Sequence, residues 1–259
     1  MTQIHHPLQG KTFSLYRITG VHGSAELGTL FTAQHVHQDH PALVLRLNER
    51  RSPMTDAILK EVLLELSRAH DLGPPCGLVR TENLGPIEGK PGFACRVPVG
   101  YQPLRQYLHG GPRKPERALA IVLNLAKGLA RAHERDLVHG DLRPENILLA
   151  DADADWPLRG QALLLWHSLH RLRSVLVLNL RKSLPYRPRE LFSAEGATLS
   201  ADASADVFAL GAILYEGLTG VHAFGGDQLD DTDEYILRRM EDPPPPLELS
   251  PGLSLTPAQ

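Results

Sequence analysis

The amino-acid sequence predicts an α+β fold in two lobes, a small β-rich N-terminal lobe with one helix and a mainly helical C-terminal lobe. Three observations predict it. Residues 1–97 carry short runs of β-favouring residues broken by glycine and proline, whereas residues 98–241 carry longer apolar runs at helical spacing. Between them Val97-Pro98-Val99-Gly100 reads as a connector, because proline and glycine end the strand pattern. Third, the polar stretch His139 to Asn146 runs straight into the apolar Ile147-Leu148-Leu149, a buried strand inside the helical half. Residues 242–259 are proline-rich and read as an extended tail.

Composition narrows the function classes. At 259 residues, with 42% hydrophobic and 22% charged content, the chain can bury a substantial core. A formal net charge of −3 gives no support for a nucleic-acid or membrane partner, since those draw on a clustered basic excess. The N-terminus has no basic segment followed by an apolar core, and no stretch approaches the roughly 18 apolar residues needed to span a bilayer. Cys76 and Cys95 show no metal-ligand spacing and read as reduced core residues, so the expected location is cytoplasmic.

In chain order, Phe13 to Ile18 and Leu27 to Ala33 read as strands joined across the glycine-bearing stretch Gly20 to Gly28. Such a turn either closes a hairpin or cradles phosphates with its amides, and alone it favours the hairpin. His35, His37 and His40 cluster before the next strand, either as a polar turn or as half of a metal site that no second cluster completes. Pro41 to Leu47 is a strand interrupted by Arg46, a cation that should have a partner. The helix begun by Ser52 and Pro53 buries Ile58, Val62, Leu63 and Leu66, and Glu61 beside that face is the candidate partner. Gly77 to Arg80 and Gly92 to Val97 supply two more strands.

The second lobe opens with a short helix at Pro103 to Leu108 and a long one from Pro115 to Glu134, whose expected buried stripe is Leu119, Val122, Ala126, Leu129 and Ala130. Asp151 to Asp155 is an acidic turn lacking the glycine and terminal glutamate of a calcium loop. Ala162 to Trp166 is a buried strand, Ala205 to Leu218 a helix apolar nearly all round, and Asp231 to Met240 an amphipathic helix. Ser174 to Leu180 either packs within its lobe or adds a strand to a partner's sheet.

A carboxylate at Asp141 on a tight polar loop, an amide five residues on at Asn146 and a buried strand directly after make a pattern that points to phosphoryl transfer or its remains. Taken together, His139-Gly140-Asp141-Leu142-Arg143-Pro144-Glu145-Asn146 resembles the catalytic loop of the protein kinase superfamily, Ser/Thr type. Pro185 to Leu191 resembles the end of that family's activation segment, and Ser204 to Gly211 the start of its central helix. The resemblance spans residues 10 to 250 and implies the two-lobed kinase-like fold. It implies structural roles for His139, Asp206 and Glu190, the role of catalytic aspartate for Asp141 and of metal-holding amide for Asn146. It also implies a C-terminal lobe truncated after the last amphipathic helix.

Several positions depart from the family pattern. Where the metal-binding aspartate belongs, the sequence reads Trp166-His167-Ser168, and an indole offers magnesium no oxygen. Arg46 replaces the phosphate-contacting lysine, Ala25 replaces the middle glycine between Gly23 and Gly28, and Gly140 replaces the arginine that pairs with a phosphorylated segment. The resulting expectation is a degenerate nucleotide cleft (Gly23, Ala25, Gly28, Arg46, Glu61, Val97, Val99, Trp166) in an inactive pseudokinase. Such a chain is not an enzyme, takes no cofactor, binds ATP and Mg weakly or not at all, and acts through a protein partner or as a homo-oligomer. The alternative is a divergent active kinase, or another phosphoryl or nucleotidyl transferase, using Asp141 and Asn146.

Overall fold

Six antiparallel strands in the order β1-β2-β3-β4-β6-β5 form the N-terminal sheet: β1 Thr12–Phe13, β2 Tyr16–Ala25, β3 Gly28–His35, β4 Pro41–Leu47, β5 Thr81–Ile87 and β6 Lys90–Arg96. The computed structural model describes residues 6–25, 28–47, 60–61, 64–65, 68–69, 72, 81–97, 100–150, 162–164, 184–191 and 201–224. The expected strand at Gly77 to Arg80, the acidic turn at 151–155, Ser174 to Leu180 and the helix at 231–240 lie outside these residues.

Side chains alternate across β4 with the period of two that a pleated strand imposes. Ala42 and Val44 pack with Tyr16, Ile18, Phe31 and Ala94 in a core of the sheet itself. Leu43 and Leu45 face the other way, joining Ala69, Leu129, Ile147 and Leu149 in the core shared with the helical lobe. This second core is what seats the two lobes on one another. The His35 to His40 stretch is the polar turn between β3 and β4: His35 Nδ1 accepts the His37 and Gln38 amides at 3.1 and 3.0 Å. No cluster of metal-ligating side chains occurs among the described residues.

The helical lobe contains α1 (Leu104–Leu108), α2 (Pro115–His133) and α3 (Ala203–Thr219), with a three-stranded sheet of β7 (Tyr101–Pro103), β8 (Ile147–Ala150) and β9 (Ala162–Leu164). Proline at the first position of α2, Glu116 in its first turn and Arg131 and His133 in its last suit the helix dipole. The stripe that α2 buries is Ala118, Ile121, Leu125, Leu129 and Ala132, with Gly128. Leu119, expected inside, is 46% exposed. Its position is set by α3: a Cβ on Gly217 would lie 3.3 Å from the Ala118 Cβ, so the small residues make the close helix contact and rotate Leu119 outward. No helix among the described residues is long and apolar enough to cross a membrane.

Candidate active site

The loop from Leu137 to Asn146 is held at both ends before any polar contact forms. Leu137 and Leu142 are buried in the shared core, and Ile147 pairs with Leu164 to stitch the strand after the loop into the small sheet. Between those anchors the backbone carries groups that need partners, and Asp206 supplies them. Its carboxylate accepts the His139 amide at Oδ2 (2.9 Å) and the Gly140 amide at Oδ1 (2.8 Å), and Oδ2 also lies 2.9 Å from His133 Nε2. Asp206 is 1% exposed, near the start of α3, so a buried carboxylate here is offset by donors on nearly every side.

Gly140 adopts φ +68°, the left-handed region that glycine enters without steric cost. That bend brings Asp141 round to His139, whose Nδ1 accepts the Asp141 amide at 3.3 Å. The Asp141 side chain then meets Asn146, whose Nδ2 donates to the Asp141 backbone oxygen at 2.8 Å and to Oδ2 at 3.2 Å. Arg143 Nε lies 3.6 Å from the same Oδ2. Beside this carboxylate is a small cavity of about 20 Å³, lined also by Leu142, Tyr186, Arg187, Pro188 and Leu191. A fixed carboxylate, a guanidinium and a cavity suit proton removal from a hydroxyl next to a charged group.

The other candidates are placed as follows. His139, Asp141, Asn146 and Asp206 are brought together in this loop. Glu190 is exposed in a single 3-10 turn, Arg189–Leu191. Gly23, Ala25 and Gly28 sit in the β2–β3 hairpin, where Gly23 pairs with Leu30 and Ala25 with Gly28. Val97 is buried in the shared core, and Val99 and Trp166 lie outside the described residues.

Arg46 shares the Ala42 and Val44 side of β4, and its Nη1 lies 3.9 Å from Glu88 Oε2 on the β5–β6 turn. Glu61 is exposed, and Glu65, one helical turn later, is 3% exposed and precedes the buried Ala69 by four residues. The i to i+4 spacing of Glu65 and Ala69 was the available signal for the inward face.

Sequence reasoning also missed Arg143, legible as a cation two residues from Asp141, and a cluster of Arg105, Glu145, Tyr186 and Glu216. Members of that cluster lie 40 to 111 residues from Arg105, so no local spacing announces it.

Residues 99–246 match the family model described as protein kinase domain. The chain is similar to serine/threonine-protein kinase PknE of Mycobacterium tuberculosis (strain H37Rv), 26% identical over 249 residues, and to PknB of Mycobacterium leprae (strain TN), 29% identical over 248. Those alignments cover 95% and 94% of this chain and 41% and 38% of the relatives, so the chain spans less than half their length. The kinase domain of Mycobacterium tuberculosis PknI shares its fold, with a TM-score of 0.60 at 23% identity over 86% of this chain and 82% of that one.

Two expectations are thereby corrected, that the chain is not an enzyme and that it takes no cofactor. The domain match and the relatives named kinases point to an enzyme, and kinase chemistry draws on ATP and magnesium. Physically, changes at positions 25, 46 and 166 leave intact the buried loop that orients Asp141 and Asn146.

Proposed function

Because the chain belongs to the protein kinase family, we propose that it is a divergent serine/threonine kinase, moving the terminal phosphoryl group of a nucleoside triphosphate to a protein hydroxyl. The observation that carries this reading is the Asp141 carboxylate, 7% exposed, fixed by Asn146 and beside a pocket. The expected protein partner becomes, in this reading, the acceptor.

Asp141 accepts the proton of the acceptor hydroxyl as its oxygen forms a bond to the terminal phosphorus. The bond from that phosphorus to the bridging oxygen breaks, and nucleoside diphosphate leaves. Asn146 holds Asp141 in line by one hydrogen bond to its backbone oxygen and one to its carboxylate, so little reorganisation is needed when the hydroxyl arrives. Arg143 places positive charge within reach of the same carboxylate and of phosphate beside it.

The donor set fits a hard divalent cation. With Nδ2 turned to Asp141, the Asn146 amide oxygen would be a hard donor to a magnesium ion that substrate phosphates and water also hold. When bound, such a cation neutralises charge on the transferring group.

The test is transfer of labelled phosphate from Mg-ATP to a generic acceptor protein by the native chain and by Asp141→Asn. The expected loss is about 10²- to 10⁴-fold, the usual share of a general base. Equal transfer by the two proteins, or none by the native chain, overturns the reading.

A further inference from the structure

We propose that Arg105 is a positioning residue, a guanidinium that ties the loop carrying Asp141 and Asn146 to the Tyr186 segment and so holds the acceptor side of the site in shape. Its bearing on rate rests on the kinase reading above; the tie itself does not.

Arg105 projects from α1 between two buried leucines, Leu104 and Leu108. Its Nε donates to Glu145 Oε1 at 2.9 Å, its Nη1 to Glu216 Oε1 at 2.5 Å and its Nη2 to the Tyr186 hydroxyl. The Tyr186 hydroxyl donates in turn to Glu216 Oε2 at 2.5 Å. Glu145 directly precedes Asn146, which binds Asp141. One side chain thus joins α1, the catalytic-type loop, the Tyr186 segment and the end of α3.

The chemistry requires arginine. A planar fork with five donors satisfies three acceptors on separate elements at once, and a lysine ammonium cannot span them in that plane. Burial works against the charge on Arg105, but Tyr186, Glu145 and Glu216 outweigh it and hold its pKa above the ordinary value. Without the guanidinium, the partly exposed Glu145 and the buried Glu216 would lose the cation that joins them. At Gly140, where the kinase pattern carries an arginine, no side chain exists to reach the segment. Arg105 supplies the tie from a different element.

The experiment measures hydrogen exchange and phosphotransfer in parallel for the native chain, Arg105→Ala and Arg105→Lys. Amides of residues 143–147 and 184–187 should exchange about tenfold faster in both variants, while α2 amides keep their rates. Transfer should lose about tenfold in kcat with little change in nucleotide KM, and methylguanidinium should restore it in Arg105→Ala. Unchanged exchange in both segments, or an equal rise throughout the chain, overturns the proposal. So does a loss carried by nucleotide KM with no rescue. If the native chain transfers no phosphate, the kinase reading falls and the exchange result alone decides whether Arg105 is the tie.

Discussion

Gly140 donates its amide to Asp206 Oδ1 at 2.8 Å across 66 residues of sequence, and this contact makes the central helix the foundation of the loop. Removing the carboxylate would leave the His139 and Gly140 amides and the His133 ring without an acceptor in a buried place. Asp206→Ala should therefore cost roughly 3–5 kcal/mol in chemical unfolding. Asp206→Asn should cost less, because its one oxygen still accepts while its NH₂ faces a donor. Equal costs for the two substitutions would show that packing, not the paired amides, holds the loop.

Asn146 has two tasks, holding Asp141 and offering an oxygen to a cation. Asn146→Ala removes two hydrogen bonds to Asp141 and the amide oxygen that fits a cation. The expected result is a loss of about 10- to 100-fold in transfer rate and a higher magnesium concentration for half-maximal activity. Stability should fall as well, by about 1–3 kcal/mol, because the buried Asp141 acceptors lose a donor. A magnesium titration of native and variant protein checks it, and an unchanged midpoint would assign Asn146 to loop geometry alone.

How much of this was legible in sequence depends on how far each partner lies along the chain. Asp141 and Asn146 are five residues apart and flanked by an apolar strand, so local spacing sufficed. The apolar length of Ala205 to Leu218 likewise marked the core helix, observed as Ala203–Thr219. Helical spacing places Leu119 on the inward stripe of α2, whereas Gly217 on α3 selects Ala118 for close contact. Which glutamate the helix of Glu61 and Glu65 turns inward is likewise decided by what it packs on: Glu65 is buried where Glu61 is exposed. The Arg105 cluster had no local signature at all, its acceptors being on three separate elements.

The two ends of α3's glycine usage should respond oppositely to the same added methyl group. Gly220 caps the helix at φ +79°, and a Cβ there would stand 2.8 Å from both the backbone N and Cδ of Pro112. Gly220→Ala should therefore destabilise by about 1–3 kcal/mol, combining left-handed strain with a backbone clash. Gly211 lies on the exposed side of the helix interior, and a Cβ there meets nothing within 4 Å among the described residues. Gly211→Ala should stabilise by about 0.5–1 kcal/mol through helix propensity. Urea midpoints of the two variants moving in the same direction would contradict this placement.

Asp202 caps the same helix and gives it a pH dependence whose sign can be worked out. Its Oδ1 accepts the Ser204 hydroxyl at 2.5 Å and the Ser204 and Ala205 amides at 2.9 and 3.3 Å. The Ser204 hydroxyl above all binds the ionised form and, with the Ala205 and Ser204 amides, lowers the carboxyl's pKa below its ordinary value, against the opposing effect of burial. A folded-state value below the unfolded one means that the stabilisation is complete above the unfolded-state pKa of about 3.9 and is lost as pH falls through the lower folded value. Asp202→Ala should cost about 1 kcal/mol at neutral pH, the usual worth of a helix N-cap. The difference from the native chain should shrink as acid protonates the cap. Thermal unfolding of both proteins from pH 7 down to the acid limit of folding reads that convergence, and a constant or widening gap would mean that the carboxylate does not act as the cap.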